Sequence, residues 1–395
     1  MKKIRVLVMG GRIVPNIIGI LNAFPSLDKI EVIEVIVSKD TPRKPQELKK
    51  ALDLTLDSIK MGEEIVVSAY EYEEIYKSCQ QIYQKYPGSE ITFDITSAPT
   101  IMCLTVYEFA KKHNQKVLYV DTANGYLRFI PPEYQTPIKI KLTVEQYLTC
   151  YLRKACKTFD FAKLSVSKSN ALALADFLAF SGKVGKIALD KFRQWSQGKE
   201  KRTIPFSKTG NVTDDEYKIF QKIQEFGFIT NLKRNKENHI SYTIISDHDH
   251  KFVEGKWLET YLWQAAKELK DNSNSLFDDV QFSLEIPTEE GSPKEIDFAA
   301  IRRGILIIAS CKTAKKLETK FLEELHSVAD MIGGKYVTKL FVTNFIPTDD
   351  NSAISLQNFK NQAYGRQIVV ISGKELKNIQ EILKKEVLNP TYRRI

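Results

Sequence analysis

Hydrophobic positions in the first third of the chain fall in short unbroken runs. Ile4–Met9 (IRVLVM), Ile30–Ser38, Ile65–Ser68, Glu90–Ile95 and Val117–Asp121 are strand-sized, and helical stretches separate them: Asn16 to Ala23, Pro45 to Ile59, Tyr72 to Tyr86 and Pro99 to His113. Strands lacking period-two alternation are buried on both faces, as in a parallel sheet between two helix layers. Regular succession of strand and helix predicts βαβ units and an α/β, Rossmann-like, doubly wound sheet.

Beyond this region Pro131-Pro132 and Pro137 mark a linker. Helical patterning returns at Val144–Ala155, Ser169–Phe180 and Lys186–Trp195, and Gln197–Thr213 is polar enough to be an exposed loop. Asp214–Phe226 is helical, and Phe228–Leu232 with Ile240–Ile245 can pair across the basic tip Lys233-Arg234-Asn235-Lys236. A helix followed by a basic-tipped hairpin is the outline of a winged helix and equally of a small α+β connector. Asp247-His248-Asp249-His250 sets four metal-capable side chains in a row, but adjacent turn residues do not converge on one ion, so a solvated loop is expected. The last third returns to α/β alternation, with a helix over Thr319–Met331 and strands at Tyr336–Thr343 and Gln367–Ser372.

At roughly 100–200 residues per domain, 395 residues suggest two or three domains. No apolar run approaches the roughly 18 residues of a membrane span, and the basic start ends too soon at Gly10-Gly11-Arg12 for a secretion signal. These features point to a cytoplasmic protein without a membrane partner. Five cysteines without a CxxC pair imply neither zinc nor a disulfide framework, and reduced, buried thiols are expected. The net charge of +9 suits a nucleic-acid partner without requiring one.

Ligands of doubly wound sheets sit at the carboxyl ends of strands. Two such ends carry suitable chemistry. In Gly10-Gly11-Arg12-Ile13-Val14-Pro15-Asn16 the glycines admit a close ligand and Arg12 supplies charge. In Asp94-Ile95-Thr96-Ser97-Ala98-Pro99-Thr100 a strand ends in hydroxyls ahead of a helix N-terminus, so Thr96, Ser97 and Thr100 can hold an anion or simply cap the helix. Neither stretch is a GxGxxG or Walker A sequence, so a dehydrogenase or NTPase is unsupported.

These two loops resemble the CARF domain, the Rossmann-like sensor of CRISPR-associated proteins, in which a DITGGTK-like stretch often stands where this chain has DITSAPT. The resemblance spans about residues 1–130. It implies a homodimer that binds a cyclic oligoadenylate across its two-fold axis, through Gly11, Asn16, Thr96, Ser97 and Thr100, with Arg12 beside them.

Toward the C-terminus, Lys294–Ile301 and Ile305–Lys312 form a hairpin across Arg302-Arg303-Gly304. Centring the turn on Arg303-Gly304 sets Asp297 opposite Ser310 and Glu295 opposite Lys312, all on one face. Either Glu295 and Lys312 form an exposed cross-strand ion pair, or an acidic metal site is present in which Asp297 ligates a divalent cation and Lys312 positions a water or offsets developing charge. Upstream, Gly255–Leu262 opens a helix that places Glu259 one turn in. The order GKWLE, EID, SCKT resembles the PD-(D/E)XK nucleases over about residues 253–395 and looks like the nuclease half of CARF-fused effectors. The resemblance implies Glu259, Asp297 and Lys312 as catalytic residues, with Ser310 where the family has its second acid. Metal would be held by Asp297, Glu259 and the Cys311 backbone carbonyl, with the missing carboxylate drawn from Glu259, Glu323 or Glu324. Lys315, Lys316 and Lys320 can contact phosphates, or form a solvated helix face.

The combined expectation is a sensor over 1–136, a connector over 137–252 and a nuclease over 253–395. Cyclic oligoadenylate, most simply the tetra-adenylate, would activate a Mn²⁺- or Mg²⁺-dependent endonuclease acting on single-stranded DNA or RNA, or nicking duplex DNA, in type III CRISPR defence. The competing reading is a ligand-controlled transcription regulator with an inactive nuclease fold. A Rossmann-like enzyme of unrelated chemistry fits the EID–SCK hairpin less well.

Overall fold

The computed structural model describes residues 2–23, 30–41, 44–53, 60–151, 153–196, 206–288, 291–313 and 315–392. Contacts divide the chain into two compact units: Met1–Lys154 with Ile301–Leu306, and Ala155–Ala300 with Ile307–Ile395.

The first unit is built from β1 (Lys3–Met9), α1 (Val14–Leu21), β2 (Val32–Ser38), α2 (Lys44–Asp53), β3 (Lys60–Val67), α3 (Tyr72–Lys85), β4 (Glu90–Asp94), α4 (Thr100–Lys112), β5 (Lys116–Asp121), β6 (Tyr126–Ile130), β7 (Tyr134–Pro137) and α5 (Val144–Thr149). Its seven strands run in the order β3-β2-β1-β4-β5-β6-β7. The five strands expected from the apolar runs pair in parallel. On one face α3 and α4 contribute Ile75, Cys79, Met102, Val106 and Phe109 to a core with Val6, Val8 and Phe93. The chain winds outward from β1 in one direction and from β4 in the other, so the topological switch lies between those two strands.

Two differences from the expected pattern stand out here. The proline-marked linker is in fact a pair of antiparallel strands, β6 and β7, extending the sheet from β5. Proline is tolerated there because β7 is an edge strand and Pro137 is its last residue. Second, α5 stops at Thr149 although its start is reinforced by a Thr143–Gln146 capping box. The following Cys156–Lys157 is instead drawn into β8 as an edge strand of the other sheet. Residues 54–59 of the expected second helix lie outside the described residues.

The second unit contains β8 (Cys156–Lys157), α6 (Lys168–Phe180), α7 (Gly182–Ser196), β9 (Phe206–Asn211), α8 (Asp214–Glu225), β10 (Thr230–Arg234), β11 (His239–Ile244), α9 (Asp247–Lys251), α10 (Trp257–Glu268), β12 (Lys270–Asp271), β13 (Asn274–Ser275), β14 (Asp279–Ile286), α11 (Thr319–Met331), β17 (Thr338–Thr343), α12 (Asp350–Gly365), β18 (Ile368–Ile371) and α13 (Ile379–Leu388). The hairpin strands β15 (Lys294–Arg302) and β16 (Ile305–Lys312) belong to its sheet, ordered β18-β17-β16-β15-β14-β8. One continuous core joins α6, α7 and the small β10-β11-β9 sheet to α10, β15, β16 and α13.

Part of the expected loop Gln197–Thr213 is strand: Phe206–Asn211 pairs with β11 from Ile244 back to His239. Residues 197–205 lie outside the described residues. The sequence FSKTGN has almost no apolar content, so only the free edge of β11 makes it a strand. The basic hairpin tip is partly neutralised, since Arg234 donates to Asp214 at 2.6 Å. Asp247–His250 is not a solvated loop but the helical turn α9, with Asp249 and His250 buried. Asp249 holds the chain at Ser165, accepting from its backbone N–H at 3.0 Å and its hydroxyl at 2.5 Å. The five cysteines are free thiols, but Cys156 is exposed and Cys103 half-buried rather than buried. No described helix is long and apolar enough to cross a membrane.

The turn between β15 and β16 groups with the first unit. Gly304 has φ +75°, and a Cβ there would fall 2.2 Å from Ile18 Cδ1 of α1. The neighbouring Arg303 donates from Nη1 to the Asn124 carbonyl at 3.2 Å. Gly304→Ala should therefore lower stability by about 1–3 kcal/mol, through positive-φ strain and crowding, as measured by denaturant unfolding.

Candidate active site and sensor loops

Helix α10, the hairpin strands and the helical turn before α10 bring five charged side chains to one end of the second sheet. The turn Phe252–Lys256 is a π turn, so its extra residue re-aims Lys256 relative to a regular helix. Carboxylate oxygens of Glu259, Glu295 and Asp297 all lie within 4.8 Å of one another. Lys256 Nζ sits among them, 3.0 Å from Glu259 Oε1 and 2.5 Å from Glu295 Oε1, and donates to Ser283 Oγ at 2.8 Å. Asp297 Oδ2 accepts from the Cys311 backbone N–H at 2.7 Å, Lys312 Nζ at 3.2 Å and Ser310 Oγ at 3.4 Å.

The expected facing pair of Glu295 and Lys312 is thus redistributed. Lys312 goes to Asp297, which is 4% exposed, whereas Glu295 is exposed and paired with Lys256. A buried carboxylate loses more solvation, so it gains more from the nearer ammonium. Lys256 is the residue that sequence reasoning missed. Its signal is the i,i+3 spacing to Glu259 within GKWLE.

Burial, then the nearby charge of Asp297, pushes the Glu259 carboxyl up to about 8, against the opposing pull of Lys256. Burial also works against the charged form of Lys312, but Asp297 outweighs it and leaves the ammonium above its ordinary pKa. Both lysines stay protonated at neutral pH, and burial favours the neutral form of Glu259.

A cleft of about 280 Å³ opens beside Asp297, Ser310 and Lys312, and Glu324 lines it from α11. Glu323 points elsewhere, pairing with Arg366 at 3.3 Å. Lys315 bonds Gln194 and Lys320 bonds Glu318, so both already have protein partners.

In the first unit the two strand-end loops meet at the switch between β1 and β4. A Cβ on Gly10 would fall 2.2 Å from the Ser97 carbonyl oxygen, so the approach requires glycine. Ser97 Oγ donates to Asn16 Oδ1 at 2.7 Å, and Asn16 is fully buried with its Nδ2 unpartnered. Thr96 is engaged within the sheet: its hydroxyl donates to Asp94 Oδ1 at 2.5 Å and accepts from the Val120 N–H at 2.9 Å. The alternative of side-chain capping by Thr96 or Ser97 is not realised, because Pro99 is the N-cap of α4 and no side chain caps it. Gly11 and Thr100 are exposed on the rim, and Arg12 is half-buried.

Residues 4–147 match the family model described as the Card1 CARF domain, and residues 246–389 match the Card1-like endonuclease domain. Comparison with the curated proteins gives no match. Among solved structures, Can2 from Sulfobacillus thermosulfidooxidans, in complex with cyclic tetra-adenylate, superposes with TM-score 0.72 at 16% identity, covering 98% of this chain and 97% of that one. Protein VC1899 from Vibrio cholerae gives TM-score 0.76 at 18% identity, with 97% of each chain covered. A type III CRISPR defence DNA nuclease activated by cyclic oligoadenylate gives TM-score 0.55 at 12% identity, covering all of this chain but 53% of that one. At these identities the likeness is one of fold.

Glu259 binds its proton more tightly when folded, so its contribution to stability is lost as pH rises from the ordinary carboxylate range through about 8. Without divalent metal, Glu259→Gln should raise the thermal midpoint at pH 9 relative to wild type and change it little at pH 5. A pH series of melting curves checks this.

Proposed function

The chain joins a Card1-type CARF domain to a Card1-like endonuclease domain, and from that premise we propose a homodimeric, metal-dependent endonuclease switched on by cyclic oligoadenylate in type III CRISPR defence. In functional terms the sensor occupies 1–136, the connector 137–252 and a PD-(D/E)XK-like nuclease 253–395. The observation that carries the reading is the cluster of Glu259, Glu295 and Asp297 with Lys312 bonded to Asp297.

Three carboxylates within 4.8 Å form a donor set that suits a hard divalent cation. Asp297 and Glu259 would hold Mn²⁺ or Mg²⁺, assisted by the Cys311 carbonyl and Glu324. When bound, the ion supplies Lewis-acid polarisation of the scissile phosphate. The Cys311 N–H fixes the Asp297 carboxylate. Lys312, bonded to Asp297 and bordering the cleft, offsets charge developing on the phosphate or positions the attacking water. Ser310 leaves the second acidic position neutral, so Glu259 and Glu324 complete the charge. Single-stranded DNA or RNA, or one strand of a duplex, is the substrate.

Gly11, Arg12, Asn16, Ser97 and Thr100 lie on the two strand-end loops that would receive the activator, while Thr96 ties the second loop to β5. Cyclic tetra-adenylate is the ring size favoured by the Can2 likeness. Ile101 and Leu104 on α4 beside these loops are 39% and 61% exposed, which favours a second copy packing there.

Cleavage of labelled single-stranded DNA and RNA with Mn²⁺ should appear only when cyclic tetra-adenylate is added. Lys312→Ala and Asp297→Asn should each reduce it on the order of a hundredfold or more while activator affinity is kept. Retained cleavage in Lys312→Ala would remove the catalytic assignment. Joint replacement of Asn16 and Ser97 by Ala should weaken activator binding by about tenfold or more, as read by calorimetry. Absence of cleavage in wild type with any ring size would favour the regulator reading, which Ser310 keeps open.

A further inference from the structure

The first unit holds a second cavity at the opposite, amino-terminal edge of its sheet. Its volume is about 400 Å³, and the first residues of β1, β4 and β5 contribute Lys3, Arg5, Glu90 and Lys116 to its wall. With Lys139, four cationic side chains face one carboxylate, Glu90, which Lys116 already pairs at 2.6 Å. Cationic side chains therefore outnumber carboxylates in its lining.

Arg5 is the unusual member. It is 6% exposed, and its Nη1 is buried without a hydrogen-bond partner. Asp94 lies on the same face of the sheet and helps through space, yet burial dominates and lowers the guanidinium pKa. A buried guanidinium lacking an acceptor is costly, and its planar fork matches phosphate or carboxylate oxygens. The wall also has an aromatic end. Phe129 and Tyr134 stack with centroids 4.6 Å apart at 8°, and Lys116 Nζ lies 6.0 Å from the Tyr134 centroid. A flat ring placed on that pair extends the stack, and its anionic group then faces Arg5 and Lys139.

We infer that this cavity is a binding site for a small phosphate-bearing ring compound of the nucleoside monophosphate class, separate from the strand-end crevice. The site rests on Arg5 and the stacked pair, and does not depend on the nuclease assignment.

The test is titration calorimetry on the full chain, with uridine 5′-monophosphate and inorganic phosphate as separate probes. The nucleotide should bind once per chain and phosphate more weakly at the same place. Arg5→Gln should weaken both by about tenfold or more. Lys139→Glu, on an exposed side chain that leaves the core untouched, should do the same, so the test survives a folding defect in the Arg5 variant. Asn16→Ala, in the crevice at the other edge, should leave both affinities unchanged. Failure of both probes to bind wild type overturns the proposal, as does binding that persists in both charge variants. Loss of binding in Asn16→Ala overturns it too, by locating the probe in the strand-end crevice.

Discussion

Concentration of three carboxylates at one sheet end is the constraint around which the second unit is arranged. Like charges within 4.8 Å cannot all remain ionised in a half-buried site without cationic partners. The chain supplies Lys256 from a π turn, paired with Glu259 and Glu295, and Lys312 from the end of β16, paired with Asp297. Even so, Glu259 retains a proton affinity far above that of an ordinary carboxylate. The two ammonium groups offset only part of the repulsion among the three carboxylates, and the remainder is expressed in the proton held by Glu259. Ser310 fits this balance, because a fourth acid at that position would add repulsion that two lysines do not offset.

The first unit separates its chemistry by sheet edge. Loops at the carboxyl ends of β1 and β4 meet closely enough that Gly10 cannot carry a side chain, and they hold a buried Asn16 amide nitrogen with no protein partner. At the opposite edge, an aromatic stack and several cations surround a buried guanidinium. Both edges leave polar atoms unsatisfied inside a well-packed sheet. Such unmatched groups are rare in folded proteins, and here they fall at the two ends of the same central strands.

Much of this was legible from pattern alone. Fully buried parallel strands announce themselves as unbroken apolar runs, and the hairpin carrying Asp297 and Lys312 followed from the Arg303-Gly304 turn. Of the strands that escaped, β7, β8 and β9 lie at sheet edges, and their sequences (YQTP, CK, FSKTGN) carry little hydrophobic signal. Their strand character comes from the partner they pair with, which no local window contains. The same limit hid Lys256. Its role depends on a π turn and on Ser283 and Glu295, far away in sequence, and spacing alone joins it only to Glu259. Asp247–His250 failed differently, since a run expected as a solvated loop is a helical turn whose Asp249 is buried against Ser165.

The β15–β16 turn leaves the first unit discontinuous in sequence: Ile301–Leu306 belongs with Met1–Lys154, although 146 residues of chain intervene (155 to 300). A piece ending at Lys154 would lack the surface that Gly304 and Arg303 present to Ile18 and Asn124, and would leave part of α1 uncovered. Recombination that exchanged only the leading segment between relatives would break a fitted contact, so the sensing segment and this hairpin turn are expected to be inherited as a pair.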